Sequence, residues 1–164
     1  MAQPQESRVS AVEERLSELG LTLPEVVAPV AAYVPAVVSG DYVYTSGQLP
    51  MVDGELPRKG KVGNTTAAVS AEDAKELAAT CALNALAAVK GVIGDLDRIT
   101  RIVKVVGFVA SETDFTGQPG VVNGASELLG KVFGEAGAHA RSAVGVAVLP
   151  LDSPVEVELI AEFS

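Results

Sequence analysis

Apolar and polar positions recur along this chain with two different periods, and the switches between them mark its elements. From Ser10 the period is helical. Val12, Leu16 and Leu19 return at three- and four-residue spacing, Ser10 and Glu13 form a capping pair, and Gly20 ends the run. A longer helix opens at Ser70, where Asp73 completes the cap and Glu72 and Asp73 favour the positive end of the helix dipole. Its apolar stripe is Ala74, Leu77, Ala78, Cys81, Ala85, Ala88, Val89 and Val92, and Gly94 stops it. A third helix begins near Pro119. It turns Val122, Ala125, Leu128, Leu129, Val132 and Phe133 inward and ends at Gly134 or Gly137.

Between the helices the period changes to that of strands. Val26 to Val38 is extended but broken by Pro29 and Pro35, which suits an edge strand or an irregular crossing. Ser39-Gly40-Asp41 predicts a tight hairpin joining Val34–Val38 to Tyr42–Ser46. Met51 to Gly63 reads as a loop with a short strand near Lys61–Val62. Ile99–Ala110 is β-branched and apolar on both sides, the pattern of a central strand covered on both faces. Ala140–Leu149 and Val155–Phe163 flank a turn at Pro150 to Pro154 and read as a closing hairpin. The order predicts an α+β domain: one mixed sheet with two main helices on one face, plus a short N-terminal helix. Residues 1–8 read as a loose tail, 1–22 as tail and short helix, and 23–164 as a single domain.

Size and charge narrow the classes. At 164 residues the chain can bury a core without disulfides or metals. With 12 basic and 21 acidic residues the net charge is −9, which argues against nucleic-acid and anionic-membrane partners. One Cys excludes an internal disulfide, and a single His with that single Cys makes a zinc site of the usual ligands improbable, so no metal is expected. The apolar stretches are interrupted before the ~20 residues a membrane span requires. The polar, acidic beginning is unlike a secretory signal, and a soluble cytoplasmic protein is expected.

Chemistry concentrates on the last two strands. Ser142, Val144, Val146 and Val148 point one way; Arg141, Ala143, Gly145 and Ala147 point the other. On the second strand Val155, Val157, Leu159, Ala161 and Phe163 alternate with Glu156, Glu158, Ile160 and Glu162. If Leu149 faces Pro154, Arg141 and the three carboxylates share one side of the sheet, with small residues inviting a close approach. In that register Glu156 is six residues from Arg141, roughly 20 Å, so the two can serve one small molecule only from different subunits. An Arg supplies paired donors for a carboxylate and a Glu supplies or accepts a proton. A second candidate is Tyr44-Thr45-Ser46-Gly47-Gln48-Leu49-Pro50, where Gly47 permits a sharp bend; taken alone it is an ordinary strand-ending turn. Cys81 reads as a buried inert thiol, and His139 as a surface residue at a strand start, with a place beside a ligand as the alternative. Asn123 faces either solvent or a bound ligand, and Tyr33 packs near the hairpin. No Ser-His-Asp order, P-loop, dinucleotide fingerprint or HExxH is present.

These segments resemble the RidA/YjgF (L-PSP) family, in a longer-chain branch. The matching features are Ala28-Pro29 with Tyr33, Val43-Tyr-Thr-Ser-Gly-Gln-Leu-Pro50 and Asn123. Ala140-Arg-Ser-Ala-Val-Gly-Val-Ala-Val-Leu-Pro150 and Val155-Glu-Val-Glu158 complete the set. The resemblance implies a chorismate-mutase-like fold and a homotrimeric barrel with three clefts between subunits. It also implies cofactor-free hydrolytic deamination of reactive enamines and imines of the 2-aminoacrylate type. Arg141 would then hold the substrate carboxylate, Glu156 would orient or activate water, and Tyr33, Ser46, Gly47 and Asn123 would line the cleft. The chain departs from the typical deaminases at Ala143, where they carry Cys, at Gly145, where Glu is common, and around Ser126, where a Tyr is usual. The alternative is a non-catalytic trimer that binds small carboxylates. An endoribonuclease or translation-inhibitor role fits poorly with the charge and the few aromatics. Chorismate mutase chemistry fits poorly with one Arg among three Glu.

Overall fold

Ser10 caps the first helix, α1 (Ala11–Glu18), by accepting the Glu13 amide, and Val12 and Leu16 turn into the core while Leu19 stays exposed. The computed structural model describes residues 9–26 and 31–164. The loose tail expected over residues 1–8, and the Ala28-Pro29 pair, lie outside the described residues. A hairpin follows, β1 (Ala36–Ser39) and β2 (Tyr42–Thr45), with Ser39 opposite Tyr42 across Gly40 and Asp41. Gly40 supplies the positive φ that this two-residue turn requires. The long loop after it contributes Val62, which bridges in parallel to Val69 and to Ser111, close to the strand expected there.

The remaining elements are α2 (Ala71–Ile93), β3 (Ile99–Ala110), α3 (Gln118–Phe133), β4 (Ala140–Val146) and β5 (Val155–Phe163). Ser70 caps α2 through the Asp73 amide and Gly94 ends it in the left-handed region, as the spacing predicts. The α2 stripe is buried except for Val92, which is 44% exposed. By length and composition α2 is apolar enough to cross a membrane, but its apolar side lies against the sheet and α3. The strand order is β1-β2-β5-β3-β4, and α2 and α3 cover one face. Two glycines set how closely the layers approach. A Cβ at Gly124 would meet the Lys75 carbonyl oxygen at 1.8 Å, so α2 and α3 touch backbone to side. A Cβ at Gly107 would meet Val122 at 2.3 Å, where α3 rests on β3.

Two expectations are corrected here. β4 and β5 do not form a hairpin. β4 pairs with β3 in parallel, β5 pairs with β3 and β2 antiparallel, and β3 lies between them. Alternation reveals which face a side chain takes but not which strand is its neighbour. The segment from 147 to 154 instead steps across the end of β3, turning through Leu151 and Asp152 at positive φ. Nor, among the described residues of the chain, is β3 covered on both faces. Ile102, Val105 and Val109 lie beneath the helices, while Lys104, Val106 and Phe108 face the open side, half-buried.

Candidate active site

The pairing decides where the two principal side chains lie. Arg141 is level with Val105 and Glu156 with Phe108. Val105 belongs to the helix-covered face and Phe108 to the open one, so Arg141 and Glu156 point to opposite faces of one sheet. The expectation that they share a face is therefore overturned, because inserting β3 breaks the assumed register. They are separated by two strand spacings and three residues, about 14 Å along the sheet. Within one chain they cannot grip one small molecule.

On the open face, the strand-ending turn after β2 wraps the Glu156 carboxylate. Tyr44 pairs with Ile160 and Gln48 with Val157, so residues 45–47 oppose only 158 and 159. This bulge is held by its own polar atoms: Thr45 Oγ1 accepts the Leu159 amide at 3.0 Å, and the Ser46 hydroxyl donates to the Val34 carbonyl at 2.6 Å. Asn84 donates to the carbonyls of Leu49 and Met51, fixing the exit of the loop. Gly47 has no side chain because the carboxylate occupies that space: a Cβ there would lie 1.8 Å from Glu156 Oε1. Tyr33, 57% exposed, sits next to the residue whose carbonyl Ser46 binds. Burial raises the Glu156 pKa above its ordinary 4.5, and the like charge of Glu158 raises it further. A carboxyl tuned in this direction exchanges protons more readily near neutrality.

On the helix side, Arg141 lies along the edge strand against the first turns of α3. Its Nη1 donates to Asn123 Oδ1 at 2.7 Å and to Ser126 Oγ at 3.2 Å, and Nη2 donates to the Pro119 carbonyl at 3.3 Å. The Nε–H and one Nη2 hydrogen have no partner among the described residues. Adjacent guanidinium nitrogens present parallel donors at the spacing of two carboxylate oxygens. The small residues beyond Arg141 keep this edge low. Gly145 is overlain by the Gln118 amide, which donates to Ser111 Oγ and to the Phe115 carbonyl.

The predicted residues thus fall into two groups: Tyr33, Ser46, Gly47 and Glu156 on one side, Asn123 and Arg141 on the other. Ser126 and His139 went unassigned from the sequence, yet both join the second group. His139 Nε2 lies 2.9 Å from Ser126 Oγ. The signals were the i, i+3 spacing of Asn123 and Ser126 on one helix, and His139 two residues before Arg141, just ahead of β4. Cys81 is buried with a pKa raised by burial and then by the Glu156 charge, an inert thiol as expected.

A family model described as YjgF/chorismate_mutase-like, putative endoribonuclease, matches residues 13–163. The chain belongs to the YjgF/chorismate-mutase-like family. Protein TCP17 of Trypanosoma cruzi is 42% identical over 154 residues, covering 93% of this chain and 94% of that protein. The crystal structure of the Agrobacterium tumefaciens protein Atu1372 is 45% identical, covers 94% of both chains and superposes with a TM-score of 0.85. The Escherichia coli protein TdcF, solved with bound serine, is 27% identical over 84% of this chain and 92% of its own, with a TM-score of 0.61. β4 closes one edge of the sheet, and its helix-side arginine is carried at that rim.

Proposed function

We propose that the protein is a cytoplasmic homotrimer that hydrolyses enamine and imine intermediates of the 2-aminoacrylate type to 2-oxo acids and ammonia, in clefts between subunits. The observation that carries this reading is the division of labour between the faces. A guanidinium with two adjacent donors unpartnered among the described residues stands at the sheet edge, and a carboxyl of raised pKa is seated over Gly47 on the open face. Neither half acts alone on a small acid, and a neighbouring copy supplies the missing half. The open face also carries the exposed apolar residues Val37, Tyr42, Tyr44 and Val144, a surface suited to contact with a second copy.

In this mechanism Arg141 holds the substrate carboxylate through two parallel hydrogen bonds. The enamine takes a proton from solvent on its terminal carbon to become the iminium ion. Water adds to the C=N carbon, and Glu156 accepts a proton from that water. The same carboxyl then protonates the amine nitrogen, the C–N bond breaks with its electron pair leaving on ammonia, and the carbinol O–H gives its proton to solvent as its oxygen becomes the 2-oxo group. No oxidant or cofactor enters the balance. Gly47 and Ser46 shape the floor, Asn123 holds the arginine, and Tyr33 stands at the rim.

The test is ammonia release from 2-aminoacrylate generated in situ. The protein should accelerate release over buffer, and Arg141→Ala should abolish the acceleration; a wild-type rate equal to buffer defeats the proposal. A second reading, a carboxylate-binding trimer without turnover, draws support from Ala143 and Gly145 in the cleft strand and from the serine bound to TdcF. Calorimetric binding of a 2-oxo acid, lost in Arg141→Ala and unaccompanied by turnover, would favour it. The RNA-directed role in the family description fits less well with a net charge of −9 and an open face bearing Glu156, Glu158 and Glu162.

A further inference from the structure

We propose that Ser126 and His139 form a positioning relay that fixes the rotation of the Arg141 guanidinium before any ligand arrives. The inference rests on the reading of Arg141 as the carboxylate-holding group. The direction of each bond in the relay follows from what its atoms can do. The Gly137 carbonyl can only accept, so His139 Nδ1, 2.6 Å away, carries the proton and donates. In the neutral ring Nε2 is then an acceptor, and the Ser126 hydroxyl donates to it. That leaves the Ser126 oxygen a lone pair for Arg141 Nη1, which also donates to Asn123. The chain therefore runs one way, from arginine through serine and histidine to a main-chain carbonyl, with each link polarising the next.

Two acceptors on a single nitrogen define the plane of a guanidinium. With both Nη1 hydrogens directed at α3, the Nε–H and the remaining Nη2 hydrogen are held in a set direction. The far end of the relay is equally fixed. Gly137 is buried so tightly that a Cβ there would lie 2.4 Å from the Leu129 carbonyl oxygen. Remove His139, and the Ser126 hydroxyl loses its acceptor and rotates, so its lone pair leaves Nη1. Remove the hydroxyl, and Nη1 keeps a single anchor. Neither residue touches the substrate in this scheme; both act through Arg141.

The experiment uses the full chain and two readouts. In the ligand-free protein, NMR of the Arg141 side chain should show separate Nη signals, the mark of slow rotation. Ser126→Ala and His139→Phe should merge them, and Ser126→Thr should keep them apart. Calorimetry with pyruvate should show about a tenfold weaker Kd for Ser126→Ala and His139→Phe, with recovery in Ser126→Thr. The neutral amide of pyruvate should bind all four proteins within about twofold. Arg141 signals as well separated in Ser126→Ala as in the wild type would overturn the relay. His139→Phe provides the same comparison should Ser126→Ala fail to fold. Merged signals together with undiminished pyruvate binding by Arg141→Ala would instead leave the relay standing and remove the carboxylate role of Arg141.

Discussion

Gly47 links a backbone choice to a proton. Its missing side chain is the space that the Glu156 carboxylate fills, and the obstacle to a larger residue is the tip of a flexible side chain rather than backbone. Gly47→Ala should therefore cost little stability, within about 1 kcal/mol, because Glu156 can swing away. It should lower turnover by at least about tenfold, because the swung carboxyl no longer stands in the cleft. Thermal melts beside ammonia-release kinetics separate the two effects. The raised pKa of Glu156 supplies a second residue-scale prediction. Burial and the Glu158 charge both disfavour the ionised form, so the folded protein holds this proton more tightly than the unfolded chain. The stability contributed by this group is fullest below 4.5 and is lost as pH rises through the raised value. Urea midpoints should thus show Glu156→Gln gaining on the wild type between pH 4 and pH 7. Removing only the like charge, in Glu158→Gln, should move the acidic limb of the kcat profile to lower pH, while burial keeps it above the ordinary carboxylate position.

At the scale of elements, helix ends and contact glycines determine how the scaffold holds the two halves. Asp97, in the turn before β3, accepts the Ser10 hydroxyl and the amides of Ala11 and Val12, so one carboxylate closes the N-terminus of α1 from outside it. Asp97→Ala should cost about 1–2 kcal/mol and show first as faster amide exchange in α1. Gly124→Ala should be far harsher. Its Cβ would strike the Lys75 carbonyl, which is backbone, so α2 and α3 must separate. A loss of about 3 kcal/mol or more, read by denaturant unfolding, is expected. These elements were legible in the sequence because caps and helical spacing are local: Ser10, Ser70 and Gly94 announce themselves within four residues. The pairing of β4 with β3 was not legible. Alternation along Arg141–Val146 and Glu156–Glu162 separates inward from outward residues, but nothing local distinguishes a hairpin from a strand inserted between the two. That one error placed Arg141 on the wrong face. Ser126 and His139 were passed over for a related reason, since their partnership exists only once β4 lies beside α3.

At the scale of the whole molecule, the proposed deaminase needs more than one chain, because Arg141 and Glu156 point to opposite faces of one sheet. The assembly should sediment at three times the chain mass of 16.8 kDa. Mass alone would not show that a cleft is shared, but mixing two inactive variants does. In Arg141→Ala every cleft lacks its carboxylate anchor, and in Glu156→Gln every cleft lacks its proton carrier. When the two are unfolded together in equal amounts and refolded, trimers form at random. A cleft that takes its arginine from one neighbour and its carboxyl from the other draws an intact pair in about a quarter of cases. Mixed trimers should therefore recover about a quarter of wild-type ammonia release, while each variant refolded alone recovers none. If both groups of a site came from one chain, every cleft in the mixture would still lack one of them, and activity would stay at the level of the separate variants. The size of the recovery thus reports the geometry directly, because only a site divided between copies can be rebuilt from two broken ones.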